Sequence, residues 1–147
     1  MSAHQRPFFA LVMKTNLLIA LISIIVCLAL PVGLQAADRW VKVSGGDWNP
    51  TPTMLTDLKA QIESYVRAQA KAQGRELENW QDYTFQYQGQ EEKGRKFIFI
   101  NAFCRLNDRQ ALDKQIIVIK DGGSCFFYLK YDPSKRVFFD LFINGEA

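Results

Sequence analysis

Apolar residues follow two different periods along the chain, and the change between them separates a helix from a set of strands. Between 52 and 73, apolar residues recur at the three- and four-residue spacing of one helical face. They are Leu55, Leu58, Ile62, Tyr65 and Val66. Thr51 or Thr53 suits the N-cap, Pro52 suits the first turn, and Gly74 suits the end. The pattern therefore predicts one long helix.

From residue 82 onward the period changes to two, which is typical of strands with one face towards a core. The predicted strands cover 83–88, 96–104, 115–120, 125–131 and 136–143, and 40–43 is also compatible with a short strand. Adjacent glycines at 121–124 predict a tight hairpin, and Pro133 predicts a type I turn. The fold class is therefore α+β, with one long helix packed on a curved antiparallel sheet of about five strands.

Both faces of this sheet are apolar, although a single helix can cover only one of them. The face expected to contact the helix carries Ile98, Ile100, Ala102, Cys104, Cys125, Phe127, Leu129 and Tyr131. The opposite face is the candidate binding face, and it carries Phe97, Phe99, Asn101, Phe126, Tyr128, Phe138, Asp140 and Phe142. A soluble monomer seldom exposes an apolar patch of this extent, so we expect this second face to be covered.

Several kinds of cover fit the second face, and cover by the chain itself comes first among them. Strong curvature could close the sheet on itself, or the N-terminal segment could pack there with Trp40, Trp48 and Trp80. Otherwise the face serves as a homodimer contact, as a contact with another protein, or as an aromatic pocket with a few polar groups.

The first 36 residues have the composition of a secretory signal peptide. No acidic residue occurs before Asp38, and the 14 residues from Leu17 to Leu30 form an essentially apolar run. That run is too short for a typical spanning helix but fits the hydrophobic region of a signal. Because Pro31 then interrupts the helix and Ala36 provides a small residue, we expect cleavage after Ala36.

Cleavage there would leave one α+β domain at 37–147, in the periplasm or outside the cell. An uncleaved signal anchor is the alternative. Met13 offers a second start immediately before Lys14, in which case 1–12 would not belong to the protein. In either case, contact with the membrane is expected only through the signal during export.

Cleavage would also change the chemistry that the chain can perform, because it removes His4, the only histidine. Without histidine, Ser-His-Asp catalysis, Cys-His catalysis and histidine-based zinc sites are excluded. Glycoside hydrolysis by two carboxylates stays open as an alternative, with Asp140 as the carboxylate expected on a sheet face. No phosphate-binding, Walker or calcium-binding motif occurs in the sequence, so we expect no catalytic residues, no metal and no cofactor.

The two remaining cysteines, Cys104 and Cys125, are expected to form a disulfide in an oxidising compartment. A reactive thiol is the alternative, although neither a Cys-x-x-Cys spacing nor a neighbouring histidine supports it. The domain after Ala36 would carry nearly equal numbers of basic and acidic residues. Nucleic-acid binding is therefore not expected, because it requires a concentration of basic residues on one face.

A helix followed by an antiparallel sheet resembles the cystatin-like and NTF2-like architectures. Cystatins that inhibit cysteine proteases carry a Gln-x-Val-x-Gly hairpin, whereas this chain has Phe85-Gln-Tyr-Gln-Gly89, so protease inhibition is not implied. A second resemblance, to a group of small exported bacterial proteins, rests on four short motifs in the last third of the chain. They are Asn101-Ala-Phe-Cys104, Asp121-Gly-Gly-Ser-Cys125, Tyr131-Asp-Pro133 and Asn144-Gly-Glu-Ala147. This resemblance implies export and supplies no activity.

Two functions are consistent with these observations. The first is a non-enzymatic interaction or inhibitor module of the bacterial cell envelope, which recognises a protein partner through the candidate binding face or through loops such as 44–50 and 121–124. The second is a carrier of a small apolar ligand, of NTF2-like form, with an enclosed pocket between helix and sheet.

Overall fold

The computed structural model of the protein describes residues 39–104, 111–120 and 122–145. The expected signal peptide at 1–36, its cleavage site and the alternative start lie outside the described residues. The elements are β1 (Trp40–Lys42), α1 (Pro52–Ala72), β2 (Thr84–Glu92), β3 (Arg95–Phe103), β4 (Phe126–Asp132) and β5 (Val137–Ile143).

The five strands form one sheet in the order β1-β2-β3-β4-β5. Helix α1 packs against it, which confirms the α+β layout of one helix and five strands. The sheet is mixed, because β1 pairs with β2 in parallel while the other neighbours are antiparallel. A parallel pair needs a crossover connection, and α1, which lies between β1 and β2 in the chain, provides it.

The helix begins and ends close to the predicted residues. The Thr51 hydroxyl accepts a hydrogen bond from the Met54 backbone N–H at 3.3 Å, which satisfies one free donor of the first turn. At the other end, Gly74 has a φ of +67° and the Arg75 N–H donates to the Ala70 carbonyl at 2.9 Å. This left-handed glycine terminates the helix in the manner its sequence predicted.

The predicted strand at 115–120 is wrong: this stretch has no ladder with any strand. The hairpin predicted at 121–124 is also wrong, because Gly123–Cys125 forms a single 3-10 turn that leads into β4. Asp121 itself, and the polar connection at 105–110, lie outside the described residues. The fifth position in the sheet is occupied instead by β1.

The helix side of the sheet is filled by large side chains. The fully buried ones include Tyr83, Phe85, Phe127, Leu129 and Tyr131 from the sheet side, with Leu58, Ile62 and Val66 from α1. The three tryptophans also belong to this side: Trp40 stacks on Phe85 with ring centroids 4.4 Å apart, Trp80 lies 5.2 Å from Phe85, and Trp48 packs against the same cluster. The expectation that they cover the opposite face is therefore wrong.

The predicted disulfide between Cys104 and Cys125 is confirmed. It joins the residue after β3 to the 3-10 turn before β4, and the Cys104 N–H also donates to the Cys125 carbonyl at 3.0 Å. The two cysteines are 21 residues apart in sequence, and the irregular stretch 111–120 belongs to the loop that their disulfide closes.

Candidate functional site

The outer face is the side of the sheet opposite α1, and irregular backbone covers one part of it. We call residues 111–119 the cover segment. The Gln86 side-chain amide donates to the Leu112 carbonyl at 2.6 Å and to the Gln115 carbonyl at 2.8 Å, and its oxygen accepts from the Ile117 N–H at 2.9 Å. Asn101 donates to the Ile117 carbonyl at 2.8 Å and to the Gln86 oxygen at 3.0 Å. Two side-chain amides therefore replace a backbone ladder.

The two ends of the cover segment are held in the same way. The Ser44 N–H donates to the Asp113 carbonyl at 2.9 Å, and the Asn144 side chain donates to the Ile119 carbonyl at 2.7 Å. The cover segment thus reaches from the end of β1 to the end of β5. Val43 and Phe103 on the outer face are only 2% and 3% exposed. Asn101, which was predicted as a binding residue, is also buried, and its side chain holds the cover segment in place.

An aromatic row remains outside the cover segment, and it consists of Phe99, Tyr128 and Phe142. The Phe99 and Tyr128 rings stack with centroids 5.8 Å apart, and Tyr128 and Phe142 stack at 5.2 Å. Tyr128 is 38% exposed and Phe142 is 49% exposed. The three rings stack in sequence, and Phe142, at one end of the row, is the most exposed of them.

A bulge between β4 and β5 changes the membership of the outer face. Tyr128 pairs with Phe142, but Lys130 pairs with Phe139, so Asp140 and Leu141 together oppose a single residue of β4. Asp140 has a φ of +51° at this position. One extra residue reverses the alternation of every side chain on one side of a bulge. The period-two alternation of residues in the sequence does not indicate this bulge.

The placement of Phe138 on the candidate binding face is therefore wrong. Its ring lies on the helix side, 4.9 Å from Tyr65 and 4.8 Å from Tyr131. Phe139 takes the outer position instead, 6.0 Å from Phe97. Sequence reasoning missed Phe139, and its only local signal was an acidic residue at 140, which is not specific for a bulge.

Two other predicted residues are covered rather than exposed. Phe97 is 4% exposed, because the Lys130 ammonium lies 4.8 Å from its ring centre and Phe139 packs beside it. Phe126 is half-buried beneath Gly122, where an added Cβ would lie 2.0 Å from a ring carbon of Phe126. A glycine is therefore required where the backbone closes over this ring.

On the outer face, Asp140 forms a salt bridge with Lys130, and its carboxylate lies 3.1 Å from the Lys130 ammonium. Glu92 lies on the other side of the same ammonium, at 3.9 Å. Both carboxylate side chains are more than half exposed. A glycosidase acid needs a desolvated carboxyl group, so this arrangement does not favour glycoside hydrolysis.

The free edge of β5 is a poor template for another strand. The bulge at Asp140 interrupts it, and the Arg75 guanidinium donates to the Ile143 carbonyl at 3.0 Å and also to the Asn144 carbonyl. Bulges and charged groups of this kind commonly prevent edge-to-edge pairing. The edge of β5 is therefore not suited to pairing with a strand of another chain.

A polar cluster joins α1 to the far end of the sheet. The Tyr131 hydroxyl donates to the Asp57 carboxylate at 2.5 Å, and Arg136 forms a two-point salt bridge with the same carboxylate. Burial, followed by the hydrogen bond with Asp57, raises the pKa of Tyr131 to about 12. Hydrogen bonds from Tyr131 and Arg136 lower the pKa of Asp57. Because these groups satisfy one another's charges and hydrogen bonds, their role is to join the helix to the sheet. We call this cluster of Asp57, Tyr131 and Arg136 the latch.

Within 39–104, 111–120 and 122–145 there is no group of three or more acidic, cysteine or histidine side chains that could hold a metal ion. Among the described residues, no helix has the length and hydrophobicity of a membrane-spanning segment. The chain matches no protein-family model, no curated protein and no solved structure.

Proposed function

We propose that the domain is an exported, non-enzymatic interaction module that binds a protein partner through the aromatic row. The observation that carries this proposal is the exposure of the stacked Tyr128 and Phe142 rings on a face that the cover segment closes only in part. Stacked aromatic side chains with little freedom to reorganise are typical of the centres of protein interfaces. The partner surface that fits is an apolar one that contributes a side chain against Phe142, the most exposed ring of the row.

Export to the periplasm or the cell exterior is part of the same proposal. The Cys104–Cys125 disulfide is compatible with an oxidising compartment, and it holds the turn that borders the outer face. The latch joins α1 to the sheet, and the disulfide joins the end of β3 to the turn before β4. Because neither needs a ligand, the aromatic row would be preformed for binding.

The competing function, a carrier with a pocket between helix and sheet, has less support. Phe85, Phe127 and Leu129 fill that layer in the described residues, and each is at most 1% exposed. Ligand pockets of carriers are concave spaces of several hundred Å³, and filling by large rings leaves little room for one.

A binding experiment tests the aromatic row directly. Tyr128→Ala and Phe142→Ala variants, with Val118→Ala as the control, would each be used to capture partners from an envelope extract. Val118 is 78% exposed and apolar but lies in the cover segment. A captured protein would be purified and its affinity for each variant measured. We expect each row variant to weaken binding at least about tenfold, as interface centres do, and the control to bind like the wild type.

Sedimentation of the protein alone completes the test. A dimer that dissociates in Phe142→Ala would identify a second copy of the chain as the occupant in place of another protein. If a purified partner binds all three variants equally, the aromatic row is not its contact surface and the proposal fails.

A further inference from the structure

A second concave surface lies at the end of the molecule where α1 begins, apart from the aromatic row. It is a groove of about 690 Å³ between the first turn of α1, the β2–β3 turn and the β4–β5 turn. This volume falls in the range of small-molecule sites, which is about 300–1,000 Å³. The groove therefore has the dimensions for an organic ligand.

The groove has an apolar lining that the fold holds in place. Trp48 and Met54 line it while packing against the helix-side core, and Pro133 lines it from the β4–β5 turn. The Trp48 indole N–H donates to the Gln90 carbonyl at 2.9 Å, which fixes the ring. An apolar body entering the groove would meet side chains that are already ordered.

The charged side chains of the groove are unbalanced. Arg95, Lys96 and Lys135 line it, and the only acidic side chain among its lining residues is Asp132. The Asp132 carboxylate is 2% exposed and already accepts from Arg95 Nε at 3.0 Å and from the Ser134 hydroxyl at 2.6 Å. The Asp132 carboxylate is therefore buried and already paired within the protein.

The two lysines of the groove are free to act on a ligand. Within the described part of the chain, neither Lys96 nor Lys135 forms a salt bridge, and both are exposed. Arg95 is already engaged, because its Nε donates to the Asp132 carboxylate and its guanidinium carbon lies 4.0 Å from the Phe139 ring centre. An anion at this rim would gain charge-assisted hydrogen bonds without displacing a carboxylate partner.

From this combination we propose that the groove binds a small organic carboxylate, in which an aromatic or aliphatic body contacts Trp48, Met54 and Pro133 and the carboxylate lies between Lys96 and Lys135. The site is separate from the aromatic row, so this inference does not rest on the proposed protein partner. The chemistry is binding alone, and no bond is made or broken.

The test compares two probes that share an apolar body. The carboxylate 4-phenylbutanoate and its neutral amide, 4-phenylbutanamide, would be titrated into the protein purified from expression of the full chain. The indole N–H signal of Trp48, assigned with Trp48→Phe, reports occupancy by nuclear magnetic resonance. We expect the carboxylate to bind at least about fivefold more tightly than the amide, because exposed charge pairs contribute about two- to fivefold each.

Lysine variants locate the charge effect. Lys96→Gln combined with Lys135→Gln should bring the carboxylate to within about twofold of the amide, whereas Lys71→Gln, in the last turn of α1, should leave the preference unchanged. Circular dichroism would verify that each variant is folded.

Three results would overturn the proposal. The first is equal binding of amide and carboxylate, which would mean that the groove recognises only apolar surface. The second is an unmoved Trp48 signal at millimolar concentrations of both probes. The third is an equal loss of preference in Lys71→Gln, which would assign the effect to general surface charge.

Discussion

The two faces of the sheet both carry aromatic side chains, but they are covered by different means. On the helix side, α1 lays an apolar stripe over Phe85, Phe127 and Tyr131, and none of these is more than 1% exposed. On the outer face, the cover segment is attached by the amides of Gln86 and Asn101 and leaves Tyr128 and Phe142 in solvent. Apolar burial provides most folding energy, whereas a hydrogen bond contributes a small net amount. We therefore expect the helix side to determine stability and the outer face to be the first to open.

The largest difference should appear when one ring is removed from each face. Phe127→Ala should lower the free energy of unfolding by about 3–5 kcal/mol, because it leaves a cavity under α1. Phe142→Ala, at a position 49% exposed, should change it by less than about 1 kcal/mol. Urea unfolding measures both values. Similar losses in the two variants would contradict the contrast between the faces.

Removal of the disulfide comes next. Replacing Cys104 and Cys125 together by serine should cost about 3 kcal/mol, because the 21-residue separation is no longer closed in the unfolded chain. The outer face should lose its order first, since Gly122, three residues before Cys125, closes over Phe126. Amide hydrogen exchange should accelerate at 122–125 more than in α1. As a control, reduction of the wild-type disulfide should give the same exchange pattern as the serine variant. Equal acceleration of exchange throughout the domain would disprove a local effect.

The attachment of the cover segment can be tested with one glutamine. Gln86→Leu should cost about 2 kcal/mol and accelerate exchange of the Ile117 amide, because that N–H and the carbonyls of Leu112 and Gln115 lose their partner. Gln61→Leu is the control, because the Gln61 amide donates to the Asp57 carbonyl within α1 and does not contact the cover segment. If both variants exchange at wild-type rates, Gln86 does not hold the cover segment.

The smallest expected effect is a dependence on pH from two aspartates. Burial alone would raise the pKa of Asp132, but hydrogen bonds from Ser134, Lys135 and Arg95 hold it below the ordinary 3.8. The pKa of Asp57 is also lowered, by Tyr131 and Arg136. A lowered folded-state pKa contributes stability above the unfolded value of about 3.9, and that stability is lost as the pH falls through the folded value.

The urea midpoint should therefore decrease as the pH falls from 5 towards 3, in the range set by these pKa values. Asp132→Asn should flatten the decrease, whereas Asp140→Asn, at an exposed outer-face salt bridge, should leave it nearly unchanged. A midpoint independent of pH in the wild type would show that neither aspartate stabilises the fold through its charge.

Prediction from sequence succeeded where a local pattern carries its own boundary signals. Helix α1 has a capping threonine at 51, a proline in its first turn and a glycine at 74, and all three act in the structure as expected. The disulfide between Cys104 and Cys125 could be predicted because the third cysteine, Cys27, lies in the expected signal peptide. Its removal leaves only one possible pair. The alternation in β3 and β4 correctly assigned Ile100 and Phe127 to the helix side.

Prediction failed where partners distant in sequence compete with a local pattern. The residues 115–120 are as apolar as a strand, but Gln86, about 30 residues earlier, takes the hydrogen-bonding groups that a ladder would use. The bulge at Asp140 depends on the register against β4, so Phe138 and Phe139 exchanged faces without any change in their own pattern.

The sequence by itself thus determined the helix, the positions of β2 to β5, the division of β3 and β4 into two faces and the partners in the disulfide, and it indicated a possible strand at 40–43, where β1 lies. These features follow from periods and turn residues that act over a few positions. Only the tertiary structure decided the parallel addition of β1, the reversal at the β5 bulge and the covering of part of the outer face. Each of these depends on which backbone groups meet across long separations, and local periodicity contains no information on that choice.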